Sequence, residues 1–113
     1  MDIDNMRLNL VSKDGTYIKY IIDPSLELQL ESVNQNGYNI QAINNPCYEV
    51  QLAAVNKNSS VICHIKDPDY NIQLAAIQNK NNYAKWHFEF IKEYITYQDL
   101  LELLELKIIN CEA

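Results

Sequence analysis

Tyr48-Glu-Val-Gln-Leu-Ala-Ala-Val-Asn-Lys-Asn58 decides the fold, because the chain states it again on either side. Moving 22 residues downstream gives Tyr70-Asn-Ile-Gln-Leu-Ala-Ala-Ile-Gln-Asn-Lys80, and 22 upstream gives Leu26-Glu-Leu-Gln-Leu-Glu-Ser-Val-Asn-Gln-Asn36. Self-similarity at a fixed period of this size marks a stacked-repeat protein. Proline sets the phase. Asp23-Pro24, Asn45-Pro46 and Asp67-Pro68 recur at the same interval of 22. With Asp or Asn as N-cap and proline at the first helical position, each pair predicts a helix start. The helix should run about twelve residues. It should close near Asn36-Gly37 and Asn58-Ser59, where Gly or Asn tolerates a left-handed C-cap. A short second segment follows in each unit, at residues 38–44, 60–66 and 82–88.

Running the register backwards exposes a first unit without proline. Met6, Leu8, Val11, Asp14, Gly15, Ile18 and Ile21 fall on the positions of Leu28, Leu30, Val33, Asn36, Gly37, Ile40 and Ile43. Residues 2–23 therefore read as a degenerate terminal repeat, as terminal repeats usually are. A β-hairpin at Asp14-Gly15 is the competing reading, since Asp-Gly is a hairpin signal.

The central helix is apolar on two sides. At about 100° per residue, Val50 and Ala54 face one way, with Tyr48, Leu52 and Val55 nearly opposite. A helix of that kind lies between neighbours, and the Ala53-Ala54 and Ala75-Ala76 pairs let those neighbours approach closely. The Gln29, Gln51, Gln73 column is read as a hydrogen-bonded ladder linking successive units. Past Trp86 the repeat fades. Phe88 to Ile95 predicts one helix, and Thr96-x-x-Asp99, a near capping box, opens a last helix from Tyr97 to about Ile109. Leu100, Leu104 and Ile108 form its apolar arc, expected to cap the last repeat or to serve as a dimer surface.

The expected architecture is all-α: a single domain over residues 1–113, a short α-solenoid of about four 22-residue helix-pair repeats. Its units are 2–23, 24–45, 46–67 and 68–89, with a C-terminal helical cap at 90–113.

Those repeat residues resemble a family of short helical repeats catalogued only as a domain of unknown function, number forty-one sixteen. Its units run acid, hydrophobic, Leu, Ala-Ala-Val, two variable residues, Asn-Gly, then an Ala/Ile-rich segment. The matching stretches are Glu49 to Asn58 and Leu30 to Gly37, and the resemblance covers about residues 1–88. The chain departs from the pattern at Glu31-Ser32, in place of Ala-Ala, and at Ser59 and Asn81, in place of Gly. The resemblance implies the helical fold and a source among giant viruses, phages or bacteria. It implies no catalytic residue.

Composition narrows the function classes. The chain holds 48% hydrophobic residues, and fifteen acids against nine bases give a net charge of −6. An acidic, scattered charge pattern argues against nucleic-acid and anionic-membrane binding, both of which want a basic surface. No apolar run is long enough to span a membrane. The opening residues lack the apolar core of a secretory signal. The expected location is the cytoplasm, or the host cytoplasm for a viral source. Three widely spaced cysteines, Cys47, Cys63 and Cys111, fit reduced thiols.

Chemistry has little to stand on. Cys63-His64 is the one Cys/His adjacency, and no close ligand pair completes a zinc site with Cys47 or His87. Adjacent residues on a helix point about 100° apart, so Cys63 and His64 make a poor nucleophile–base pair. No phosphate loop, zincin motif or nucleophile elbow is present. No enzyme activity, cofactor or metal is expected.

The second segment of each unit is more informative. One slot holds Tyr20, Ala42, His64 and Trp86, residues of unrelated chemistry on a regular scaffold, as a binding surface would. Gln41 and Lys85 stand beside it. Tyr20, Gln41, His64, Lys85 and Trp86 are the candidate protein-binding residues, since Tyr and Trp are favoured interface anchors. Burial of Trp86 within the cap is the rival reading for that residue. Tyr48 and Tyr70 share a helical slot with Leu26 and are expected in the core.

The leading expectation is a non-enzymatic protein–protein interaction module, monomeric or paired through its C-terminal helix. The alternative is a small acidic phage or virus protein that occupies the basic nucleic-acid site of a host factor such as a defence nuclease.

Overall fold

A computed structural model describes residues 3–80 and 84–111. Nine helical segments and no strand occur among them. In chain order they are α1 (Ile3–Lys13), η1 (Gly15–Tyr20), α2 (Leu26–Gln35), η2 (Gly37–Ala42), α3 (Tyr48–Lys57), η3 (Ser59–His64), α4 (Tyr70–Gln78), α5 (Lys85–Lys92) and α6 (Gln98–Asn110). The η segments are 3₁₀-helices. The N-terminal stretch is helical, so the hairpin at Asp14-Gly15 does not form.

The first two 3₁₀ segments start where a short polar side chain holds the turn. Asp14 Oδ1 accepts from Thr16 N at 3.0 Å, and Asn36 Oδ1 accepts from Tyr38 N at 3.0 Å. Asn58, at the same register, turns outward from its own segment and accepts from Gly37 N at 2.8 Å instead. This joins α3 to the preceding 3₁₀ segment. Of the third expected second segment, residues 82 and 83 lie outside the described residues, while Lys85 to Phe88 open α5.

Three expected helix starts are corrected. Asp23, Asn45 and Asp67 are not N-caps: all three sit in the left-handed region, with φ of 49°, 50° and 50°. The cap falls two residues later, where Ser25 Oγ accepts from Leu28 N and Asp69 Oδ1 from Ile72 N. Cys47 occupies the equivalent place without a side-chain cap bond. The helices are accordingly shorter, at 10, 10 and 9 residues. The Asp/Asn-Pro pair makes a sharp reversal before the helix, which Asp and Asn tolerate because their short polar side chains suit the left-handed conformation. Asn45→Val, with a β-branched side chain there, should cost about 1–2 kcal/mol; Asn45→Gly should be nearly neutral. Chemical denaturation of the two variants checks the difference.

The expected left-handed C-cap at Asn36-Gly37 is also absent. Asn36 is extended, and no glycine has positive φ. Glycine is needed at 37 for space: a Cβ there would lie 2.5 Å from the Ala54 carbonyl oxygen. Backbone meets backbone at that point.

Burial follows the sequence period. Val11, Val33, Val55 and Ile77, spaced by 22, are at most 1% exposed. Ile18, Ile40 and Ile62 are buried in the 3₁₀ segments, as are Leu28, Val50 and Ile72 in the helices. Ser32, Ala54 and Ala76 form a column of small residues at 0% exposure. Ser32, where alanine was the pattern, donates its hydroxyl to the Gly15 carbonyl at 2.7 Å and so ties α2 to η1. Two opposed faces of α3 are therefore packed, with α2 and α4 as its neighbours.

The glutamine column works differently from expectation. Gln29, Gln51 and Gln73 each donate to the carbonyl of the proline five residues earlier, at 2.9, 3.0 and 2.9 Å. Each therefore closes its own turn and does not link units, because the reversal points the proline carbonyl back at its own helix. Gln73 alone reaches further, exchanging bonds with Thr96.

At the C-terminal end, α5 stops at Lys92 and α6 starts at Gln98. Thr96 is not the cap of α6: its N–H and hydroxyl are engaged by Gln73, and Tyr97 takes the N-cap position without a side-chain bond. Leu100 and Leu104 are buried and Ile108 half-buried in the common core. The particle measures 55 × 27 × 15 Å.

Candidate functional site

The 3₁₀ segments hold the candidate residues by a simple geometric consequence. Each segment buries one isoleucine, at 18, 40 and 62, and two positions later turns a side chain outward. Tyr20 is 72% exposed, and Ala42 and His64 are exposed as well. In α5 the same register position places Trp86 outward, at 68% exposure. Trp86 is thus a surface residue, and its reading as cap core is corrected. The segments touch in order, η1 on η2, η2 on η3 and η3 on α5, so the four residues follow one another in an outer row.

Neighbours along the row interact. Lys19 Nζ lies 5.1 Å from the centre of the Tyr20 ring, a cation–π contact. Gln41 Nε2 sits 3.1 Å from the ring nitrogens of His64, which crosses from η2 to η3. Tyr38 meets the same imidazole edge-on at 5.9 Å, and its hydroxyl bonds Ser60. The Trp86 indole stacks on His87 at 5.0 Å. Lys85 is exposed at the start of α5. Tyr20, Gln41, His64, Lys85 and Trp86 therefore share one side of the particle, with Gln41 and His64 in direct contact.

Clefts open beside this row where the first two Asp/Asn-Pro reversals fold back. One, of about 420 Å³, lies among Pro24, Gln29, Ala42 and Asn44. The next, of about 440 Å³, is lined by Pro46, Gln51, His64 and Lys66, the same positions 22 residues on. The outer-row residue forms a wall of each, so a change there from alanine to histidine changes the cleft. A chain laid along the row would meet a different wall in each successive cleft.

Three surface residues escape the sequence reading. Tyr38 stands at a slot shared with Thr16 and Ser60, whose varied chemistry was the available signal. Ile22 is 83% exposed; its equivalents Asn44 and Lys66 are polar, which marks the slot as outward. Tyr48, expected in the core, is half in solvent at 43% exposure, because its slot lies at the open first turn of α3. Tyr70, its equivalent, is half-buried, and its hydroxyl donates to Asp99 at 2.6 Å. That hydrogen bond raises the tyrosine pKa, since a phenolate would face a carboxylate.

Two further titratable groups are shifted by burial. Burial pushes the Cys63 thiol above its ordinary pKa, which disfavours the reactive thiolate. His87 is held below the usual histidine value, also by burial, with its Nε2 3.1 Å from Ser59 Oγ. Among the described residues no three of His, Cys, Asp and Glu are grouped to hold a metal ion. Nor is any described helix long and apolar enough to cross a membrane. No family model, curated protein or solved structure matches this chain.

Proposed function

We propose that the protein is a non-enzymatic binding module, a short α-solenoid of about four 22-residue units closed by a helical cap, which engages a protein partner along its outer row. The observation that carries the reading is the contrast within each 3₁₀ segment. The inner isoleucine is invariant and buried; the residue two positions on is exposed and changes from Tyr to Ala to His, with Trp at the same place in α5. A constant scaffold with one free slot per unit is how stacked repeats present a binding surface. Two aromatic anchors at the ends of the row suit it to a protein. Membership in the short helical repeat family of unknown function belongs to the same proposal. The 22-residue recurrence of the left-handed Asp/Asn-Pro reversal supports it.

Affinity capture from cells of the source organism tests the reading. Tyr20→Ala and Trp86→Ala should each weaken recovery of the specific partner at least tenfold, roughly the 1.4 kcal/mol that a modest anchor supplies. Thermal melting should barely move, because both side chains are mostly in solvent. Recovery that survives both changes overturns the assignment of the row.

The acidic-inhibitor reading rests on a separate observation, the net charge of −6 with exposed acids at Asp23, Asp67 and Asp69. It predicts capture of a nucleic-acid enzyme, with binding that falls steeply as salt rises. Salt-insensitive binding through Tyr20 and Trp86 excludes it.

A further inference from the structure

The two ends of the particle are unlike, and they complement each other. At the N-terminal end, among the described residues, α1 packs only on α2 and η1. Its outer stripe is apolar: Ile3, Met6 and Leu10 are 62%, 47% and 43% exposed. In the repeat register Met6 stands where Leu28, Val50 and Ile72 are buried, and Leu10 where Ser32, Ala54 and Ala76 are buried. The face that α2, α3 and α4 cover is therefore uncovered on α1. Leu10 also says what does not cover it. The small column allows backbones to approach as closely as Ala54 and Gly37 do, and a leucine would collide at that spacing. The occupant needs a groove that admits a leucine.

Such a groove lies at the other end. Between α6 and the end of α5 lies an open groove of about 500 Å³, whose exposed lining is largely apolar; Leu101 and Leu106 line it together with Gln98, Glu102, Glu105 and Lys92. Lys92 is already paired with Glu105. Leu106 and Ile109 continue the apolar surface outward, at 59% and 62% exposure. Among the described residues, helix α6 packs only on α4 and α5.

Charge decides which surface meets which. Over residues 3–13, Arg7 and Lys13 against Asp4 give α1 a net charge of +1, the opposite sign to the −6 of the whole chain. Over residues 98–110, Asp99, Glu102 and Glu105 against Lys107 give α6 a net charge of −2. Two α1 helices would repel, as would two α6 helices; α1 against α6 attracts.

We infer that the occupant of the α5–α6 groove is helix α1 of a second copy of this chain, so that molecules associate head to tail. The contact is heterologous: each copy offers α1 at one end and the groove at the other, and the array stays open unless it closes on itself. Its area is small, which makes the association weak and concentration-dependent. The register argument rests on the stacked reading, whereas the partner-binding row plays no part in it.

Sedimentation velocity at low ionic strength, over a wide range of protein concentration, tests the inference. The natural protein should gain mass with concentration and pass beyond dimer. Met6→Glu and Leu106→Glu should each stay monomeric, with association at least tenfold weaker. Both sites are exposed, and circular dichroism should give unchanged melts; Ile3→Glu and Ile109→Glu serve where either variant fails to fold. The decisive sample is an equimolar mixture of Met6→Glu and Leu106→Glu. One intact α1 then meets one intact groove, and the mixture should form a heterodimer and stop there. Trp86→Ala should self-associate like the natural protein, which keeps this result separate from that of the outer row. A natural protein that remains monomeric throughout overturns the inference and leaves the groove to another occupant. Self-association of Leu106→Glu alone overturns it in favour of two-fold α1 pairing, and a mixture that does not recombine overturns it as well.

Discussion

Ala54→Asp is expected to unfold the protein. Ala54 is fully buried in the middle of α3, and its carbonyl oxygen lies where a side chain on Gly37 would begin. No cationic group is paired with that position, so a carboxylate there would be desolvated without compensation. An unpaired buried charge costs about 3–5 kcal/mol, a large part of the roughly 5–15 kcal/mol that holds a domain together. Ala54→Leu separates charge from volume. It should cost about 1–3 kcal/mol by overpacking and leave a folded protein. The half-buried neighbour Ala53 should tolerate aspartate better. Circular dichroism melts of the three variants give the order; an unchanged melt for Ala54→Asp would remove the packed interface on which the fold depends.

Gln73→Leu should be the most damaging change at a polar position. The Gln73 side chain is fully buried and makes three bonds: it donates to the Pro68 carbonyl and to Thr96 Oγ1, both at 2.9 Å, and accepts from Thr96 N at 2.7 Å. Leucine fills a similar volume but leaves a backbone carbonyl and a backbone N–H without their partner. At about 1–3 kcal/mol for each buried group so stranded, the loss should be about 3 kcal/mol. The comparison is Gln51→Leu, where a half-buried side chain makes one bond to Pro46 and the cost should be about 1 kcal/mol. Urea unfolding measures both. Hydrogen exchange at Thr96 N should accelerate in Gln73→Leu and not in Gln51→Leu, which identifies the lost tie between α4 and the α5–α6 connection.

The helical class and the buried columns were legible in the sequence for one reason. Burial repeats wherever the same environment repeats, so Val11, Val33, Val55 and Ile77 announce themselves by spacing alone. What the spacing does not carry is the direction of a hydrogen bond. The Asp/Asn-Pro pairs signalled a helix start, yet the reversal and the cap divide between residues 23 and 25, 45 and 47, and 67 and 69. The glutamine column was visible as a column, but whether each member reaches its own turn or the next unit depends on where the proline carbonyl points. Gly37 was noticed as a helix stop; its cause is a carbonyl seventeen residues away along the chain, at Ala54. Thr96 read as a local cap because its partner, Gln73, is distant in sequence.

The outer row was legible through variation. Tyr20, His64 and Trp86 stood out because neighbours in the period are constant, and their exposure follows from the buried isoleucine two positions before in the 3₁₀ segments. The same logic, applied to Asn44 and Lys66, marks Ile22. The clefts beside the row were not legible, since they are made by the left-handed reversals and by helices shorter than the proline phase suggested.

The proposed stack makes one demand that few other folds meet: it must accept another unit. The most direct test is small-angle X-ray scattering on a chain carrying a second copy of residues 46–67 immediately after the first, at concentrations low enough to hold it monomeric. A stack of repeats should give a folded protein whose radius of gyration exceeds the 15.7 Å of the natural chain. Its longest dimension should grow by about one helix spacing, roughly 8–10 Å, with the cross-section unchanged. An unfolded or aggregated product, or a folded one that thickens without lengthening, would contradict it.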